Sequence, residues 1–289
     1  MSELRFAKYH GTGNDFVLYL DLEGRRPLDA RLAAALCDRR FGVGADGVIR
    51  VARDEEGADL FMDYRNADGS LAEMCGNGIR CLAAFAVAEG VWTGDALAVG
   101  TRSGRRELRL RRDGRAVREV TVSMGAPALR RGDIPMTGAA DETFLGQPFE
   151  AAGRVFRASA VSMGNPHLVL LLDEDPDGLD VATIGPTIER DPRFPQGVNV
   201  EFVVAKDDVL VTRVWERGSG LTMACGTGAC AVLVAADEAG LVSAAATVRF
   251  PGGEVRVERT GDDVLLTGPA ERTFDGVVAD DWLAARGLA

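Results

Sequence analysis

Apolar and polar residues alternate with a period of two along most of the chain, which predicts strands. Segments 4–8, 16–21, 47–52 and 58–65 carry this pattern, followed by 97–101, 107–112 and 117–123. Helical spacing of apolar residues fills 28–39. A second helix is predicted to begin at Cys75, because the small-residue apolar run 81–88 reads as a buried helix. The second half repeats the order. Strands are predicted at 155–161, 168–172, 198–205 and 209–216, with a helix over 181–190. Another helix starts at Cys225 and carries the apolar run 229–236, and three more strands end near Leu266.

Short motifs recur in step with these elements. Asn14 and Asn165 lie 151 residues apart, Gly42 and Gly197 155, Asn66 and Glu216 150, and Cys75 and Cys225 150. Four pairs in register predict two copies of one αβ module. The first is expected to comprise residues 1–127 with the returning tail 269–289, and the second residues 128–268.

Composition narrows the partners. Hydrophobic residues make up 46% and charged residues 27% of 289 positions, enough for a packed core. A net charge of −11 argues against nucleic acid or an anionic membrane surface as a main partner, since both call for basic patches. Met1-Ser2-Glu3-Leu4-Arg5 lacks the basic and apolar regions of a signal peptide, and the apolar stretch 229–248 is broken by Asp237 and Glu238. A cytoplasmic location follows as the expectation, and there Cys37, Cys75, Cys81, Cys225 and Cys230 are expected to be thiols.

The candidate chemistry sits at the two helix starts. Met74-Cys75-Gly76-Asn77-Gly78 and Ala224-Cys225-Gly226-Thr227-Gly228 each place a thiol where free N–H groups and the helix dipole favour negative charge. Their glycines would let an anionic ligand approach the backbone closely. Any one such cysteine is ordinarily a small core residue; the duplication points to an acid and a base working as a pair. Cys37, Cys81 and Cys230 read as packing. His167 and Glu216 are polar residues at strand ends that could adjust the two thiols in opposite directions. Asn14, Asn66, Asn165 and Asn199 mostly adjoin glycines, where turns are the default use, but their recurrence fits a polar pocket for an amino-acid head group. Cys-x5-Cys and Cys-x4-Cys with two histidines do not form a zinc pattern, and the Cys-x-x-Cys of a redox dithiol is absent, so no metal is expected.

Taken in order, these motifs resemble the diaminopimelate epimerase family. The match rests on Gly11-Thr12-Gly13-Asn14-Asp15-Phe16-Val17, Asn66-Ala67-Asp68-Gly69-Ser70 and Met74-Cys75-Gly76-Asn77-Gly78 in the first half. In the second it rests on Gly164-Asn165-Pro166-His167, Gly197-Val198-Asn199-Val200-Glu201-Phe202, Glu216-Arg217-Gly218 and the run from Ala224 to Cys230. The resemblance implies an α/β (α+β) fold of two similar pseudo-symmetric domains. Each would be a curved, mostly antiparallel sheet wrapped around a central helix, with the active site in the cleft between them. It implies an isomerase without pyridoxal phosphate or other cofactor, interconverting LL- and meso-diaminopimelate for lysine and peptidoglycan precursors. Cys75 and Cys225 match the catalytic thiols. Asn14, Asn66, Gly76, Asn77, Asn165, Asn199, Glu216, Arg217, Gly226 and Thr227 match substrate contacts, and His167 and Glu216 match the groups that tune the thiols. A cytoplasmic homodimer is part of the same expectation. Gly47, Leu71 and Leu221 depart from the family's usual residues, which are Gln at the first and polar at the second. A proline or hydroxyproline racemase of the same fold group, and a thiol-sensing binding protein, are the rival readings.

Overall fold

The structure is a computed structural model that describes residues 3–288. Its chain clusters into two compact units, one running to Val122 and resuming at Gly268, the other spanning Ser123–Thr267.

In the first unit β1 (Leu4–Gly11) and β2 (Asn14–Leu20) form an antiparallel hairpin. Its two-residue turn puts Thr12 at φ 50° and Gly13 at φ 81°, the left-handed pair that suits the twist of a hairpin. Then follow α1 (Ala30–Cys37), β3 (Gly47–Ala52), β4 (Leu60–Asn66) and α2 (Gly76–Ala88). The run closes with β5 (Ala96–Thr101), β6 (Gly104–Asp113) and β7 (Ala116–Ser123). Pairing is antiparallel except between β2 and β3 and between β4 and β5.

The second unit repeats this plan. It contains β8 (Gln147–Ala151), β9 (Arg154–Ser162), β10 (Pro166–Leu171), α3 (Val181–Glu189), β11 (Asn199–Lys206) and β12 (Val209–Glu216). A short β13 (Gly220–Thr222) precedes α4 (Gly226–Glu238), and β14 (Ala245–Phe250), β15 (Gly253–Thr260) and β16 (Asp263–Gly268) complete it. Again two pairings are parallel, β10 with β11 and β12 with β14, at the equivalent places. The tail forms β17 (Glu271–Val278), which pairs with β1 as β8 pairs with β9, and ends in α5 (Asp280–Ala285).

In each unit the central helix is almost wholly buried, so apolar residues occur all round it and not on one stripe. The smaller helices have ordinary stops. The spacing predicted α1 over 28–39, but Asp29 accepts from Leu32 N at 2.7 Å and caps it, and Asp38 leaves helical geometry at ψ 119°, which trims both ends. The sequence pattern also missed β8, β13, β17 and α5 as elements.

One charged cluster ties the first hairpin to the segment after α1. Lys8, only 9% exposed in its side chain, meets Asp15 at 2.6 Å and also donates to Gly44 O. Arg39 binds Asp15 through two nitrogens at 2.7 and 3.1 Å and reaches Asp46 at 2.8 Å. Burial raises the Asp15 carboxyl, but the hydrogen bonds from Arg39 and Lys8 outweigh it and hold the group well below the ordinary carboxylate range. A lowered folded value means stability present above the unfolded value near ~4 and lost as pH falls through the folded one. Asp15→Asn is therefore expected to cost about 3 kcal/mol at neutral pH, by leaving Lys8 without its carboxylate partner. In denaturant titrations the gap between the two proteins should narrow below about pH 4; an equal gap at both pH values would contradict this.

Candidate active site

The two cysteines occupy the same structural position. Cys75 is the N-cap of α2, in extended backbone (φ −141°, ψ 118°), and its sulfur accepts from Gly78 N at 3.4 Å. Cys225 is the N-cap of α4 (φ −129°, ψ 122°), and its sulfur accepts from Gly228 N at 3.4 Å. A sulfur in place of the usual serine or aspartate oxygen satisfies a free helix donor, and its thiolate gains from the same N–H and the dipole. Glycine is required at 228 for a further reason. A Cβ there would lie 2.7 Å from Glu201 Oε1 and 3.3 Å from the Cys225 sulfur. Cys75 is partly exposed and Cys225 is 6% exposed.

Around Cys75 the partners come from β2 and α2. Its S–H donates to Asn14 Oδ1 at 3.6 Å, and Asn77 Nδ2 donates to the same oxygen at 3.3 Å. Asn14 Nδ2 donates to Asp46 at 2.8 Å, which turns the amide oxygen toward the sulfur. Behind them Arg80, with no exposed surface, donates to Gly76 O, to Asn77 Oδ1 and to Pro269 O. Gly76 starts the helix beside the thiol. Asn66 stands apart from this group, bonded to Ser70 Oγ at 3.1 Å in the turn after β4.

Around Cys225 the set differs. Thr227 Oγ1 lies 3.5 Å from the sulfur, and Asn165 Nδ2 donates to Thr227 Oγ1 at 3.3 Å. His167, on β10, is fully buried between Asn165 Oδ1 at 2.9 Å and Glu201 Oε1 at 2.7 Å. Glu216, at the end of β12, accepts from Thr222 Oγ1 at 2.5 Å and acts on Cys225 through its charge. Trp215 sets that strand end: its indole packs on Gly185 of α3, and its Nε1 donates to Glu189 at 2.7 Å. Asn199 is a brace, with Nδ2 on Pro166 O and Oδ1 accepting from Arg217 N, both at 2.9 Å. Arg217 is exposed and donates to Gln196 O. Gly226 opens α4 next to the thiol.

Electrostatics separate the cysteines. Burial pushes the Cys225 thiol well above its ordinary value, Glu216 and Glu201 add to this, and Thr227 and Gly228 oppose it. Burial likewise raises the Glu216 carboxyl, against the hydrogen bond from Thr222. Cys37 is pushed up to about 12 and Cys81 higher still, both by burial, so neither is a nucleophile at neutral pH. Cys230 has no exposed surface.

Glu201 and Asp46 emerge only from the structure as neighbours of the thiols' partners. A carboxylate inside the mostly apolar strand 198–205 was the visible signal for Glu201; Asp46, in a loop, gave none. Gly47 leaves no room for a glutamine, since a Cβ there would sit 2.4 Å from the Tyr64 ring. Leu71 and Leu221 are exposed, 55% and 54%, at equivalent positions ahead of the two cysteines. Among the described residues no group of three or more His, Cys, Asp or Glu is arranged to hold a metal, and no helix is long and apolar enough to cross a membrane.

Known proteins share both the sequence and the plan. A model of the family described as diaminopimelate epimerase matches residues 6–129 and 159–273. A diaminopimelate epimerase from Synechococcus sp. (strain JA-2-3B'a(2-13)) is 49% identical over 284 residues, covering 96% of this chain and 98% of the relative. Among solved structures, a PhzF-family phenazine biosynthesis protein from Bacillus anthracis superposes with a TM-score of 0.70 at 15% identity, over 96% of this chain and all of that one. A hydroxyproline epimerase from Agrobacterium vitis does so at 0.67 and 17%, over 96% and 91%. The two structures share the fold of paired pseudo-symmetric α/β units, and the extent of the family and sequence matches shows that this chain belongs to the diaminopimelate epimerase family.

Proposed function

We propose that this chain is a cofactor-independent isomerase that interconverts LL-2,6-diaminopimelate and meso-diaminopimelate, with Cys75 and Cys225 as the paired base and acid at one α-carbon. The observation that carries the reading is the duplicated sulfur cap on two buried helices. Inverting a stereocentre by proton transfer takes a base on one face and an acid on the other, with the roles exchanged in the reverse direction. Two copies of one thiol-bearing module supply chemically equivalent groups for both roles. Membership of the family supports the substrate.

The α-proton of an amino acid is weakly acidic, so charge developing on the adjacent carboxylate must be stabilised. The N–H groups of residues 76–78 and 226–228 are suited to this, and each such donor typically contributes about 3 kcal/mol to the transition state. Asn14, Asn77, Asn165 and Thr227, which surround the sulfurs, would contact the reacting end, and Asn66, Asn199 and Arg217 the distal end. The exposed guanidinium of Arg217 suits a second carboxylate. Asn199 would act by holding the Arg217 backbone. Glu216 and His167 would adjust the thiols. A homodimer in the cytoplasm belongs to this reading, and exposed Leu20, Phe274 and Val277 in the first unit support the dimer.

Cys75→Ser and Cys225→Ser should each lower the rate of LL-to-meso conversion by on the order of a thousandfold, measured by chiral chromatography, whereas Cys37→Ala should leave it unchanged. Retention of most activity in either serine variant, or inversion of proline in place of diaminopimelate, would overturn the assignment. A second expectation concerns Glu216. Glu216→Gln removes a neighbouring negative charge that raises the Cys225 thiol, so iodoacetamide should alkylate Cys225 faster in this variant. The difference should widen as pH rises through the titration of the native carboxyl. Equal alkylation rates across the pH range would contradict it.

A further inference from the structure

A continuous line of hydrogen bonds runs from Glu201 to the sulfur of Cys225, and an ionised Glu201 would give it one direction. Ionised Glu201 can only accept, and its Oε1 lies 2.7 Å from His167 Nδ1, so that nitrogen carries the hydrogen. An amide oxygen also can only accept, and Asn165 Oδ1 lies 2.9 Å from Nε2, so the second nitrogen carries one too. Both side chains of the His167–Glu201 pair have no exposed surface, and with a hydrogen on each ring nitrogen they would form a net-neutral imidazolium and carboxylate. With its oxygen turned to the ring, Asn165 offers its NH2 to Thr227 Oγ1 at 3.3 Å. The threonine oxygen then accepts, and its one hydrogen is left for the Cys225 sulfur at 3.5 Å. Glu201 Oε2 has no hydrogen-bond partner among the described residues. The carboxylate lies against the first turn of α4, where the helix dipole favours negative charge.

We propose that Glu201 is a positioning residue that sets the polarity of this relay, so that Thr227 donates to the sulfur of Cys225 and favours its thiolate. Together with Gly228 N–H the sulfur receives two donors. The first unit ends the opposite way. There Asp46 takes the NH2 of Asn14, and the amide oxygen faces Cys75 as an acceptor for S–H. The difference arises at His167, because an imidazolium donates from both ends and reverses the direction of the line. Two similar thiols, each receiving one backbone N–H, thereby differ in the side chain that meets them: a hydroxyl donor at Cys225 and an amide-oxygen acceptor at Cys75. This inference rests on the proposed role of Cys225 in proton transfer, but the state of the relay is readable without activity.

The chain has only two histidines, so ring nitrogen resonances are assigned with His10→Gln. In the native protein both ring nitrogens of His167 should be protonated in nitrogen-15 spectra; a singly protonated ring would overturn the proposal. In Glu201→Gln the ring should become neutral, with Nδ1–H donating to the carbonyl oxygen of the introduced amide and Nε2 bare; a ring that keeps its hydrogen on Nε2 would contradict the relay. Asn165 is then free to turn and Thr227 to point away, and alkylation of Cys225 should slow about tenfold, in line with loss of one hydrogen bond to a charged group. Epimerisation should show the loss in kcat, with KM little changed. Thr227→Val should slow alkylation similarly without altering the ring signals. The double variant should lose no more than Thr227→Val alone, since both changes break one line; additive losses would indicate an unconnected structural role and contradict the relay. Slowed alkylation with the expected ring states but no epimerisation in the native protein would sink the functional assignment and leave the relay standing.

Discussion

The sulfur that caps a buried helix is the constraint on which the rest depends. A cysteine at the N-cap must hold extended backbone, reach the amide three residues on, and tolerate no side chain in its way. Those conditions explain the glycine at 228, whereas at 78 a side chain would run into Ile49 and Met62, each 2.9 Å from a Cβ there. They also place each thiol where backbone N–H groups converge, at the one end of a buried helix that welcomes an anion. Capping and chemistry are thus the same interaction, and a change that improved the cap with an oxygen would remove the thiol.

Duplication supplies equivalent thiols, yet the two units dress them differently. Cys75 is partly exposed and faces an amide oxygen held by Asp46, itself bound to Arg39. Cys225 is buried, faces hydroxyl and backbone donors, and lies beside Glu216. Burial and the two carboxyl groups raise its thiol, while the donors lower it. An epimerase has to run in both directions, so each sulfur must be able to hold and release a proton at similar cost. Opposed influences at one thiol are a physical means to that balance, within the proposed mechanism.

Much of this was legible in the chain. Period-two alternation gave most strands, and the unbroken small apolar runs after Cys75 and Cys225 marked helices buried on every side. The near-constant offset of about 150 residues is the mark of the repeat in the sequence. Short or edge elements such as β8, β13 and β17 were not legible, because they bury little and their patterns are weak or broken by charge. Asn199 looked like a pocket residue in sequence, whereas its two amide ends are spent on Pro166 and Arg217. Nothing in the motif around Glu201 reveals that a residue on one strand meets a histidine on the next. Register, not composition, creates that pair: His167 and Asn199 are direct neighbours across β10 and β11, and Glu201 lies two residues further along.

The most direct measurement of the central claim follows deuterium at low conversion. LL-diaminopimelate is incubated with the native enzyme in deuterated water, and the α-carbons of product and remaining substrate are analysed separately. If one thiol removes the proton and the other delivers its own, the meso product carries solvent deuterium while the remaining LL substrate keeps its hydrogen. Comparable deuterium in the unreacted LL substrate would mean that a single exchanging group serves both faces, and the paired-thiol account would fail.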